Sequence, residues 1–161
     1  MSGGGLTKEV LADYLRAHPL AVLATASADG RPEAALVNIA ATPDLDIVFE
    51  TTSATRKFTN LKSNPRVSLV VGWQGGKTLQ VDGMVEELEA SAYERLTPAF
   101  FAAFPEKGSH AYWPGNSYFR IRPTWFRLSD YNYPRNIAEL ALPEPLLAGP
   151  AGRIRRWLRG G

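Results

Sequence analysis

Hydrophobic positions near the start of the chain recur every three to four residues, and then the period drops to two. Val10, Leu11, Tyr14 and Leu15 fall on one face of a predicted helix over 6–15, with Thr7 as its N-cap and His18-Pro19 ending it. Residues 20–26 read as a short apolar strand. Ser27-Ala28-Asp29-Gly30 reads as a hairpin turn with Asp-Gly at its tip, and about 33–41 as the returning strand. After a turn at Thr42-Pro43-Asp44, Leu45, Ile47 and Phe49 alternate with Asp46, Val48 and Glu50, the pattern of a strand with one buried face.

The run from Phe49 to Lys57 predicts a strand end, a hydroxyl-rich turn and a short helix. Ser53 is the expected N-cap, Ala54, Phe58 and Leu61 follow at helical spacing, and Pro65 stops the helix. A β-rich segment over 66–73, a Gln74-Gly75-Gly76 turn and a long strand over 78–88 come next, with Gly83 marking a bulge. Residues 90–103 have helical composition that Pro98 should divide or kink. Residues 104–116 read as a loop rich in glycine, proline and aromatics, and 118–128 as a last strand in which Pro123 implies an edge or a bulge. From Asp130 no pattern is sustained. Five to seven strands joined mostly by short hairpins predict a mainly β fold, a small antiparallel barrel with peripheral helices. It forms a single domain over 1–138, and 139–161 form a proline-containing linker, extended or partly disordered, with a basic tail.

Composition narrows the chemistry more than the fold. The 161 residues include no cysteine, which excludes disulfides and thiolate chemistry, and only His18 and His110, which leaves no basis for a histidine metal cluster. No apolar run is long enough to span a membrane, so no transmembrane segment is expected, and the polar start Met-Ser-Gly-Gly-Gly points to a cytoplasmic protein. Four of the 18 basic residues are Arg153, Arg155, Arg156 and Arg159, which leaves 14 against 16 acidic ones, a net of −2. The body is therefore not a nucleic-acid binder, and the tail is expected to be solvated.

The richest chemistry lies at 49–57. Free amides at a helix start, several hydroxyls and the Arg56-Lys57 pair suit a phosphate monoester. The same pattern also fits an ordinary capped helix with a solvated Arg-Lys pair. His18 is expected at the end of the first helix and His110 in a solvated loop. Trp73, Trp125 and the Phe100, Phe101, Phe104 cluster read as core or interface, and part of the aromatics between Phe100 and Trp125 is expected to form a dimer contact. Arg120, Arg122 and Arg127 read as charges that protect an edge strand.

Strand, Asp-Gly hairpin, strand, then Phe-x-Thr-x-x-x-Thr-Arg-Lys and Asn-Pro-Arg-Val-Ser-Leu resembles the pyridoxamine 5′-phosphate oxidase-like, FMN-binding split-barrel family. The resemblance is strong over 20–73 and continues to 128. It implies a homodimer with two FMN sites at the subunit interface. On that pattern Arg56 and Lys57 contact the FMN phosphate, with hydroxyl bonds from Thr51 and Thr55. Ala35, Leu36, Val37 and Asn38 line the isoalloxazine ring. Glu50 stands where the family has a tyrosine before the threonine. Thr78 or Gln80 lies near the ring's polar edge, Trp113 is a ring contact from the other subunit, and one of Arg120, Arg122 and Arg127 is a candidate for the phosphate across the dimer.

The chain also departs from the family. Ala35 and Ala40 occupy the strand ends where the authentic oxidases carry an arginine for the flavin and a lysine for the substrate phosphate, and nothing from Tyr131 onward resembles their Arg-x-His substrate element. Pyridoxamine phosphate oxidation is therefore not expected. No side chain stands out as catalytic, so the expected reaction is hydride transfer between the flavin and a small-molecule partner. The alternatives are a non-catalytic flavin carrier, sensor or stress protein, or a split barrel that binds a deazaflavin or haem, for which no axial ligand is evident.

Overall fold

Thr7 caps helix α1 (Lys8–Ala17) by accepting a hydrogen bond from Val10 N at 3.3 Å. Its buried face is Leu11, Ala12 and Leu15, whereas Val10 is 46% exposed. The expected face is thus corrected by one position, because the small Ala12 lets the helix lie close to the sheet. His18 closes the helix as expected, with Nδ1 hydrogen-bonded to Tyr14 O at 2.8 Å. A computed structural model describes residues 5–145 and the backbone of 147–148 and 154–155.

β1 (Leu20–Ala26) and β2 (Pro32–Asn38) form the predicted hairpin, pairing from Leu20↔Asn38 to Ala26↔Pro32. Gly30 takes the positive φ of +86° that its turn requires. The returning strand is not continuous. It breaks at Ile39, and β3 (Ala40–Ala41) pairs instead with β4 (Ile47–Thr52). The chain then runs through helix α2 (Arg56–Ser63), β5 (Arg66–Val71), β6 (Lys77–Glu87), helix α3 (Ala90–Ala103), a 3-10 helix (Pro105–Tyr112), β7 (Asn116–Asp130) and β8 (Asn136–Ala141). The strands form one antiparallel sheet in the order β2-β1-β5-β6-β7-β4-β3, with β8 also on β7. Its concave side holds the main core, where Phe49 and Phe119 stack at 5.5 Å between ring centroids.

The bulge at Gly83 is present as a register shift between Asp82 and Gly83, opposite Pro123. A Cβ on Gly83 would stand 2.7 Å from Ile121 Cγ2 and 2.8 Å from Arg122 O. Gly83→Ala is expected to destabilise the fold by about 1–3 kcal/mol, read as a lower midpoint in urea unfolding. Pro123 fits for a related reason. Pro123 stands opposite Gly83 at the register shift itself, the irregular position of a strand at which proline is tolerated.

Three expectations are corrected. The segment 136–141 is strand β8, not patternless chain or linker; its alternation is weak because it is a largely exposed edge. α3 passes unbroken through Pro98, since Pro98 and Glu94 both face solvent, where water can satisfy the freed carbonyl. β7 is interior over most of its length, so its arginines are not edge charges. Arg120 is buried against Glu86 and, at 3.4 Å, Asp46; Arg122 pairs with Glu86 at 3.0 Å and Arg127 with Glu139 at 3.5 Å. Phe100 belongs to a second core inside the chain, with Val48, Leu96 and Tyr118, while Tyr112 and Trp113 stay exposed.

Beyond 145, β9 (Leu147–Ala148) pairs with β10 (Ile154–Arg155). The arginine-rich tail otherwise lies outside the described residues. Among the described residues no helix is long and apolar enough to cross a membrane, and no cluster of potential metal ligands occurs.

Candidate functional site

The hydroxyl-rich turn between β4 and α2 is capped by Thr55, not Ser53. Thr55 is extended (φ −92°, ψ 148°), and its Oγ1 accepts from Phe58 N at 3.3 Å. The Thr51 and Thr55 hydroxyls are 2.9 Å apart. Ser53 has another role. Its N–H donates to Gly115 O at 2.8 Å, which ties the turn to the segment carrying Trp113. The α2 amides of Arg56 and Lys57 have no acceptor within the helix and give its start partial positive charge.

An open cleft of about 270 Å³ lies beside this helix start. One wall is Leu36, Val37 and Asn38 from β2. The floor is Glu50, Thr51 and Thr52 from β4, with Thr55 and Lys57 at the helix end. The far wall is Lys107, His110, Trp113 and Asn116. Eight of the twelve residues expected at the site therefore meet around one cavity: Leu36, Val37, Asn38, Glu50, Thr51, Thr55, Lys57 and Trp113.

The other four do not line it. Arg56 is turned away: its side chain is 87% exposed, 3.5 Å from Glu33, in a neighbouring groove at the β1–β2 hairpin. Ala35 lies within β2 opposite Leu23 of β1. Thr78 and Gln80 sit on β6, which β5 and β1 separate from β2. Trp113, expected from a second subunit, lines the cleft of its own chain.

Lys107 is not among the expected site residues and His110 is expected in a solvated loop, because 105–112 reads as loop. In a 3-10 helix residues three apart eclipse, which brings both side chains over the same carboxylate. Glu50 Oε1 accepts from Lys107 Nζ at 2.7 Å and His110 Nδ1 at 2.9 Å, and Oε2 accepts from Asn116 Nδ2 at 3.2 Å. His110 also stacks on Trp113, with ring centroids 3.8 Å apart, so it is not the solvated loop histidine expected. Burial acts to raise the pKa of Glu50, but these hydrogen bonds outweigh it and hold the carboxyl below its ordinary range. Tyr118 is pushed the other way, by burial first and then by the charge of Glu50; its hydroxyl is buried without a hydrogen-bond partner.

The lowered folded-state pKa of Glu50 fixes the sign of a pH effect. Its stabilisation is fully present above the ordinary value of 4.5 and is lost as pH falls through the lower folded value. Glu50→Gln is therefore expected to flatten the fall in thermal stability between about pH 5 and pH 3, measured by thermal unfolding across that range.

The donor set fits a phosphate monoester at one end of the cleft. Lys57 makes no ion pair among the described residues, and two threonine hydroxyls and the helix start stand beside it. Leu36 and Val37 on one wall and Trp113 on the other offer apolar surface. Cofactor sites usually enclose about 300–1,000 Å³, so the cleft of one chain falls just short.

A family profile described as pyridoxamine 5′-phosphate oxidase matches residues 7–130. The pyridoxine/pyridoxamine 5′-phosphate oxidase of Ehrlichia ruminantium is 36% identical over 89 residues, covering 55% of this chain and 46% of the relative. That of Bordetella pertussis is 37% identical over 70 residues, covering 43% and 33%. The chain thus spans less than half the length of these curated relatives. Among solved structures, a haem-binding protein from Mycobacterium smegmatis superposes with a TM-score of 0.72 at 16% identity, over 86% of this chain and 59% of that one. A pyridoxamine 5′-phosphate oxidase-related, FMN-binding protein from Nostoc punctiforme gives 0.60 at 13% identity, over 87% of this chain and 100% of that one. At such identities these TM-scores show a shared fold alone, the split barrel.

Proposed function

Since the chain belongs to the pyridoxamine 5′-phosphate oxidase family, we propose that it is an FMN-binding protein and a flavin-dependent oxidoreductase acting on a small molecule. The observation that carries this reading is the convergence of eight of the expected residues on one cleft, with a lysine at a helix start that makes no ion pair among the described residues. Lys57, Thr51, Thr55 and the first amides of α2 would hold the phosphate. Leu36 to Asn38 would lie along the ring, and Trp113 would shield it from water. FMN, when bound, supplies hydride chemistry, and the protein supplies binding, orientation and electrostatics.

A second copy would complete the site. Leu36, 58% exposed, Val22 and Val70 form an apolar row across β2, β1 and β5 that continues to Gln80 on β6. This row borders the cleft at Leu36, and covering it in a homodimer would bring the partner's β6, with its polar residues, toward the flavin. The substrate is proposed to be other than pyridoxamine phosphate, because Ala35 and Ala40 supply none of the charge a second phosphate needs.

Turnover tests the catalytic part. NAD(P)H oxidation by FMN-loaded protein, with a panel of small reducible acceptors, should exceed that of free FMN at equal concentration. A rate no better than free FMN leaves a flavin carrier or sensor instead. Haem is a second reading, favoured by His110 in the cleft and by a structural relative named as haem-binding. The absorption spectrum of the purified protein separates flavin bands from a Soret band.

A further inference from the structure

We propose that Glu50 is the latch of a movable wall: the 3-10 helix at 105–112, with Trp113 at its end, opens and closes over the cleft, and the Glu50 carboxylate sets where Trp113 stands. This deepens the FMN reading above and rests on it for the identity of the ligand. A 3-10 helix repeats every three residues, so Lys107, His110 and Trp113 fall in one row. That row lines the cleft. Glu50 Oε1 accepts from the first two members, at 2.7 Å and 2.9 Å, and leaves the third, 52% exposed, as the free edge of the wall.

Little else holds the wall down. None of the helix residues is buried, and eight residues is long for a 3-10 helix, whose hydrogen bonds are poorly aligned. Among the described residues, the two bonds to Glu50 are the only side-chain hydrogen bonds from 105–113 to another element. Lys107 also lies over the Phe100 and Phe104 rings, at the anchored end. There Phe104 N–H donates to Phe100 O at 2.9 Å, and the Phe104 ring packs on the second core. The far end is fixed as well. Gly115, at φ +75°, accepts from Ser53 N–H, and a Cβ on it would stand 2.6 Å from Ser53 Oγ. Midway, a Cβ on Gly108 would meet open space. A segment fixed at both ends, unburied between them and tied by one carboxylate opens locally without unfolding the rest. The other wall and the floor are strands β2 and β4, which are paired within the sheet. At about 270 Å³ the cleft is below the usual cofactor volume. The wall that yields to a flavin-sized ligand is therefore this one. Because the latch forms with and without ligand, it slows entry and exit alike.

Hydrogen exchange of the ligand-free full chain reads the latch. In Glu50→Gln the hydrogen-bonded amides of 107–113 are expected to exchange about tenfold faster than in wild type, with those of β4 and β7 changed far less. Lys107→Met, which keeps the carboxylate, should shift the same amides in the same direction. Unchanged exchange over 107–113, or acceleration shared equally with β4 and β7, overturns the inference. Stopped-flow flavin fluorescence reads the consequence. Association and dissociation of FMN should both quicken in Glu50→Gln by similar factors, with affinity nearly kept. Faster dissociation alone makes Glu50 an ordinary contact of the site and overturns the inference too. Wild type that binds no FMN overturns the FMN reading, and the exchange result still decides for or against the latch.

Discussion

Lys57→Ala is expected to weaken FMN binding by about 10–100-fold, whereas Arg56→Ala changes it by less than about threefold. A hydrogen bond to a charged partner contributes about 1.5–3 kcal/mol, and each 1.4 kcal/mol is a factor of about ten in affinity. Lys57 lines the cleft and makes no ion pair among the described residues. Arg56 already faces Glu33, and its side chain is almost fully in water, where losing it costs little. Such an asymmetry would contradict the reading in which both cations grip the phosphate. Flavin fluorescence titrations of the two single variants measure it directly, and equal losses would restore the paired role.

Phe119→Ala is expected to cost about 3–5 kcal/mol of stability, the largest effect of any single change considered. Phe119 is fully buried, stacks on Phe49 and receives the edge of Phe58 from α2 at 5.9 Å. It is therefore one of the contacts that seat α2 on the sheet, beside the buried Leu61 of the helix itself. Urea unfolding gives the loss of stability. Hydrogen exchange should also show earlier opening of the α2 amides relative to those of β5. If α2 keeps its protection while global stability falls, the helix is seated by other contacts.

Features fixed by local chemistry were legible in the sequence. Thr7 as a cap and Asp29-Gly30 as a turn each need only their own neighbourhood. The site was legible where the motif is dense, at 49–57, and ambiguous where two residues satisfy one rule. Ser53 and Thr55 are both good caps, and the choice was made by a distant contact, the hydrogen bond from Ser53 N–H to Gly115 O. Arg56 and Lys57 are adjacent, so a helix separates their directions by about 100° and cannot aim both into one cleft. β8 escaped notice because an exposed edge need not alternate. The break at Ile39 escaped it because one apolar run serves two partner strands.

Glu50 shows the same limit from the other side. Its place before Thr51 marked it as a departure from the family pattern, but its partners lie 57 to 66 residues away. Lys107 and His110 meet it only because residues 105–112 coil as a 3-10 helix. A Lys-x-x-His spacing is the one signal that could have linked them. The replacement of a tyrosine by a buried acid thus comes with three donors that keep the acid ionised.

The most direct measurement is a titration of FMN into the full chain, followed by quenching of flavin fluorescence. The account predicts saturable quenching at one FMN per chain, with the Thr51→Val and Thr55→Val variants weakened and wild type competed off by FMN analogues that keep the phosphate. Absence of quenching, or binding to which the phosphate contributes nothing, would contradict it.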